Sequence, residues 1–146
     1  MLSIQISDIK DFMSHLLSKD TFDHFYFIEA SIKMGVSYQI QGRINEGFYD
    51  TSVEQTLNRE FCYWKEIRHR IFDIIKGKRL PLSCKIVLGL SKQSISYLIA
   101  HNNSSFREED IEGIYVNILY DPKNLLITTG ISYKNFSLDK SLEYAF

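Results

Sequence analysis

Between Arg59 and Arg79 the chain reads REFCYWKEIRHRIFDIIKGKR, which sets seven Lys or Arg residues against three acids around the only tryptophan. Two kinds of chemistry suit those residue types. Lys65, Arg68, His69, Arg70, Lys76, Lys78 and Arg79 could neutralise phosphates, with Trp64 or Tyr63 free to stack on a base. Arg68 and His69 could instead line a small hydrolytic site, provided a concave pocket with convergent polar groups forms beside them. His69 also has Glu66 three residues before it and Asp73 four after it. That helical spacing could hold a divalent ion, although solvated helix surfaces show it constantly. The structural explanation of the same run is that Trp64 belongs to an apolar stripe and Lys76–Arg79 complements a helix's negative end. The acids Glu66 and Asp73 also weaken the local field.

No other constellation carries chemistry. GxSxG, a P-loop, GxGxxG and triad-like histidine–carboxylate spacing are absent. His15, His24, His69 and His101 are widely separated, and neither Cys62 nor Cys84 has a CxxC or HxxxH partner. The two cysteines read as reduced, mostly buried thiols. Glu108-Glu109-Asp110 lies in a Ser- and Asn-rich stretch where solvation accounts for it. The expectation is a non-catalytic binding or adaptor domain without cofactor or metal. Its binding residues would be Trp64, Lys65, Arg68, His69, Lys76, Lys78 and Arg79, and its partner a protein or nucleic acid. The alternative is a small hydrolytic enzyme with a site near Arg68 and His69.

The totals bound these readings. A chain of 146 residues is expected to form one domain, 1–146, that folds without a metal or disulfide. Net charge is −1, and outside 59–79 ten basic residues face fifteen acids, so a basic patch is possible while a basic protein is not. Met1–Ser7 alternates in polarity unlike a signal peptide, and no apolar run approaches the roughly 20 residues of a spanning helix. A cytoplasmic protein with no membrane partner is expected. Ten Phe and nine Tyr favour a core that contains sheet.

The elements that must position the run follow from periodicity. Leu2, Ile4 and Ile6 alternate as a short strand. Ser7 or Asp8 caps a helix whose stripe is Ile9, Phe12, Met13, Leu16 and Leu17. His24–Lys33, a turn at Met34-Gly35, and Val36–Ile44 read as a hairpin. A long central helix is expected from about Val53–Arg59 to Lys76, closed by Gly77, with Arg68 projecting among Phe61, Trp64, Ile71 and Ile75. A guanidinium there must reach solvent, pair with a carboxylate or stack on a ring. After Pro81 come a strand at Ser83–Leu90, a Ser91-capped helix, and a polar loop over His101–Asp110. Strands at Ile114–Tyr120 and Leu125–Tyr133 then flank an Asp121–Asn124 turn, with Gly130 expected at a bend or bulge. Leu138–Phe146 reads as a short terminal helix.

Each half, about 1–45 and 83–135, thus runs strand, helix, strand, strand, joined by the helix at 53–77. The fold expected is α+β, a largely antiparallel sheet with its helices on one side. That order of elements is similar to one domain of the sliding-clamp fold. More closely, ISDIKDFMSHLL, YWKEIRHRIFDIIKGKRLPLSCKIVLGLS and ITTGISYKNFSLDKSLEYAF resemble a family of small firmicute proteins known only as a domain of unknown function. The resemblance implies a stand-alone cytoplasmic domain and transfers no site. A homodimer through an exposed sheet edge is compatible with the same sequence.

Overall fold

Residues that alternate in polarity, or run apolar between turn residues, become six strands in this computed structural model, which describes residues 2–49, 59–101 and 107–134. They are β1 (Ser3–Gln5), β2 (Tyr26–Lys33), β3 (Ser37–Gln41), β4 (Ser83–Gly89), β5 (Ile111–Tyr120) and β6 (Leu125–Tyr133). All pair antiparallel in one sheet of order β1-β6-β5-β4-β2-β3. With α1 (Ile9–Leu17), α2 (Trp64–Ile75) and α3 (Lys92–His101), the architecture is α+β. A 3-10 turn at Glu108–Asp110 leads into β5.

Strand alternation divides the sheet into two faces. Ala30, Ile32, Cys84, Ile86, Leu88, Val116, Ile118, Tyr120 and Leu125 are buried on one face, in a cluster with Leu16 and Leu17 of α1 and Trp64 and Ile71 of α2. A smaller cluster joins Ile95 of α3 to Ile111 and Ile114. The opposite face carries Glu29, Ser31, Lys33, Ser83, Lys85, Asn117 and Leu119, and no described helix covers it.

Local signals set the element ends. Asp8 accepts from the Asp11 amide at 3.0 Å and starts α1. Ser91 does the same for α3, its hydroxyl accepting from the Ser94 amide at 3.3 Å. Asp121 and Asn124 exchange backbone hydrogen bonds across the β5–β6 turn. Gly77, at φ +147°, closes α2 in a conformation that side-chain-bearing residues avoid.

Three expectations need amendment. The central helix starts at Trp64, because residues 59–63 are extended and spend their backbone groups on the sheet. Cys62 donates to the Gly42 carbonyl at 2.9 Å and its own carbonyl accepts from Phe27 at 2.8 Å, while Arg43–Phe61 and Tyr26–Tyr63 form isolated bridges. Glu66 then fixes the helix start by accepting from the Tyr63 amide at 2.6 Å. Gly130 sits in regular register opposite Tyr115, and the irregularity of that strand pair falls at Ile111/Gly113 instead. The strand order does not divide the sheet into two similar halves: β1 pairs with β6, whereas β4 lies between β5 and β2. The expected structure at 53–58, residues 102–106 of the polar loop and the terminal helix lie outside the described residues.

Candidate functional site

The cationic run divides by the face each residue presents, not at one point along the chain. Arg59 and Arg68 face inward and are occupied. Arg59 grips Glu66 with Nη1 at 2.7 Å from Oε2 and Nη2 at 3.1 Å from Oε1, and donates to the Phe61 carbonyl at 3.0 Å. That bidentate contact, with the Tyr63 amide added, holds the Glu66 carboxyl below the ordinary carboxylate range. The Arg59 guanidinium also lies 4.5 Å from the Tyr63 ring, which packs on Tyr26 at 5.4 Å. Arg68 reaches across to Asp23, Nε to Oδ1 at 2.9 Å and Nη2 to Oδ2 at 3.1 Å, a fork on a carboxylate that solves its placement in an apolar stripe. Trp64 is fully buried. Its indole N–H donates to the Leu16 carbonyl at 2.7 Å, and its ring lies 5.7 Å from Phe27.

The other cations face outward. Lys65, His69 and Arg70 are exposed, with the Lys65 ammonium 5.7 Å from the Tyr63 ring. Lys76 pairs with Asp73 at 2.9 Å across one exposed helix turn, a contact of little net value. Lys78 and Arg79 are exposed and make no ion pair among the described residues. The structure therefore keeps Lys65, His69, Lys76, Lys78 and Arg79 on the surface and places Trp64 and Arg68 in the scaffold beneath them.

Sequence reasoning passed over the residues that complete this corner. After Arg79 the chain runs Leu80-Pro81-Leu82, in which Pro81 is fully buried while Leu80 and Leu82 are 67% and 69% exposed. The Leu82 amide donates to the Lys33 carbonyl at 2.8 Å, which ties the loop to the end of β2. There Lys33 faces Ser83 on one side and Ser37 on the other, and Val36 in the intervening turn is 65% exposed. The signal was present in the sequence. Two leucines flank a proline directly after a cationic cluster, where alternation about a buried proline sends both outward.

Four cavities are lined by described residues other than Val36, Leu80 and Leu82, and one of them adjoins the corner at Lys33 and Ser83. One of about 440 Å³ is lined by Ser31, Lys33, Ser83, Lys85, Leu119 and Asp121 among others, and one of about 260 Å³ adjoins it at Glu29, Gln39 and Gln41. Two more, of about 410 and 400 Å³, border α3. None of the four is lined by Arg68 or His69. With the Arg68 guanidinium already paired, the geometry gives a hydrolytic site there no support. The Cys84 thiol is pushed up to about 12 by burial, and Cys62 is raised for the same reason, so neither is primed as a nucleophile. Among the described residues no three His, Cys, Asp or Glu side chains converge as a metal site would require. No described helix is long and apolar enough to cross a membrane.

No curated protein and no solved structure matches this chain. Its residues 15–146 match the model of DUF5721, a family of unknown function, and the chain belongs to that family.

Proposed function

We propose that this is a non-catalytic binding domain that meets an acidic partner, protein or nucleic acid, through the outer side and C-terminal corner of α2. The observation that carries the reading is the split in the run. Arg59 and Arg68 are committed to internal carboxylates, while Lys78 and Arg79 have none among the described residues. Lys65, His69, Arg70 and Lys76 extend the same surface along the helix. Lys76 caps α2, and Lys78 and Arg79 follow in the short stretch before β4, where exposed cations complement an acidic surface.

The reading is tested by anisotropy titrations with three labelled polyanions: poly-glutamate, single-stranded DNA and duplex DNA. Three phosphate contacts at Lys76, Lys78 and Arg79 predict a duplex affinity that falls roughly 40-fold between about 50 and 200 mM salt. Lys78→Glu with Arg79→Glu should abolish binding of whichever probe is held. Binding confined to poly-glutamate assigns an acidic protein face, and salt-insensitive or absent DNA binding removes nucleic acid. If none of the three binds at low salt, the corner is not a polyanion contact.

A further inference from the structure

The corner contains something that a bare polyanion does not call for. Leu80, Leu82 and Val36 are each about two-thirds exposed and lie on two adjacent loops at one end of the sheet. Exposure of isolated apolar side chains is ordinary, but three at one place, framed by cations, are not explained by folding. We infer that this end of the molecule seats on an anionic lipid surface, with Leu80, Leu82 and Val36 entering the headgroup–acyl boundary and the surrounding cations meeting the lipid phosphates. The inference rests on the reading of the corner as an anionic contact, but puts a lipid surface in place of a protein or nucleic acid and so departs from the absence of a membrane partner expected from the sequence.

Three observations favour a lipid interface over a protein groove. The first is shape. The apolar groups are tips of loops and line none of the cavities described above, so they project and do not receive. A bilayer accepts projecting side chains without a matching pocket. The second is stiffness. Pro81 is fully buried between the two leucines, and the Leu82 amide is bonded to the Lys33 carbonyl, so the tips are held outward before any contact. The third is charge. Lys33, Lys78, Arg79, Lys76 and Lys123 stand at this end of the sheet and its adjoining turns, against Asp73, which is paired with Lys76, and Asp121. The Asp121 carboxylate is occupied in its own turn, accepting from the Lys123 and Asn124 amides at 2.8 and 2.9 Å. Asp8 and Asp11 follow β1, which lies three strands, roughly 14 Å, from β4, and Ile6 is bonded to Leu125 beside the turn that carries Lys123. That spacing exceeds the screening length at physiological salt, so these acids offset Lys123 and not the cations beside Leu80 and Leu82. Apolar tips ringed by cations combine the two terms that peripheral lipid binding requires, and no spanning helix is needed.

The test is co-sedimentation of the full chain with vesicles of phosphatidylglycerol and phosphatidylcholine, and with phosphatidylcholine alone. Binding is expected only with the anionic vesicles. Leu80→Ser with Leu82→Ser should lower that partition by about tenfold or more, and Lys78→Glu with Arg79→Glu should lower it at least as far. Leu80→Trp supplies an independent readout. Trp64 is already buried, so a blue shift of emission on adding anionic vesicles would report insertion at position 80. Loss with charge reversal but none with the serine variants, and no shift at position 80, overturns insertion and leaves the electrostatic contact standing. Absence of vesicle binding overturns the lipid partner outright, and the polyanion titrations then judge the corner by themselves. Unchanged thermal melts of the variants exclude misfolding as the cause of any loss.

Discussion

Two neighbouring regions draw on the same residue types and use them in opposite ways. From Arg59 to Arg68, arginines and a tryptophan are turned inward, each satisfied by a named partner: Glu66, Asp23 and the Leu16 carbonyl. From Lys76 to Leu82, cations and leucines are turned outward and, Lys76 apart, meet no ion-pair partner among the described residues. A positive charge beside a large apolar residue is thus not a signature of binding. What separates the regions is whether the fold supplies the counter-group. In the first it does, and the residues stabilise the structure. In the second it does not, and the residues remain available to a partner.

The contrast is broken most forcefully by removing what is satisfied inside. Trp64→Ala deletes a fully buried ring and leaves the Leu16 carbonyl without its donor. The expected loss is about 3–5 kcal/mol of unfolding free energy, read from the urea midpoint at constant m value. A loss below about 1 kcal/mol would show that the ring is less enclosed than its packing against Phe27 indicates.

Next comes Arg68→Ala, which strands Asp23, a carboxylate only 14% exposed. Removing one member of a partly buried pair costs about 2–3 kcal/mol, chiefly through the uncompensated charge that remains. Asp23→Ala should cost a similar amount. The double variant should be less damaging than the sum by more than about 1 kcal/mol, because each change removes the other's penalty. Strict additivity in that cycle would mean the fork carries no coupling.

Glu66 sharpens the comparison through pH. Its carboxyl is held low by Arg59 and the Tyr63 amide, so the folded state binds its proton more weakly than the unfolded chain does. The pair's contribution is therefore complete above the ordinary value of 4.5 and is lost as pH falls through the lower folded value. With the side chain 36% exposed, solvent screening limits that contribution to about 1 kcal/mol or less. Glu66→Gln should be less stable than the parent in urea melts at neutral pH and converge with it in strong acid. A gap that widens on acidification would reverse the assignment.

Much of the frame was legible because short-range rules decide it. The stripe Ile9, Phe12, Met13, Leu16 and Leu17, the Asp8 and Ser91 caps, and the Asp121–Asn124 turn each depend on residues within one or two turns of one another. The start of α2 was not legible. Phe61, Cys62 and Tyr63 suit a helix by periodicity, yet their backbone is taken by Phe27, Gly42 and Arg43, residues about 20 to 35 positions away. The partner of Arg68 was hidden for the same reason, since Asp23 precedes it by 45 residues. The site's cations were visible in the sequence. Their division into occupied and free was not, because that depends on which carboxylates the tertiary fold brings near.

The smallest expected effect discriminates most between the two regions. Leu80→Ser with Leu82→Ser changes two large apolar side chains, as drastic in composition as any core replacement. In a core, substitutions of that kind cost several kcal/mol through lost burial and cavity formation. Here both side chains are about two-thirds in water already, and the loop's fixed points are Pro81 and the Leu82 amide, neither of which the change touches. The urea midpoint should therefore move by no more than about 0.5 kcal/mol in either direction. A loss approaching 2 kcal/mol would show that the leucines belong to the packed structure, and the corner would join the inward half of the run as scaffold. A negligible change would leave the fold without a use for them, so their placement on a pinned loop beside Lys78 and Arg79 would point to a contact outside the chain.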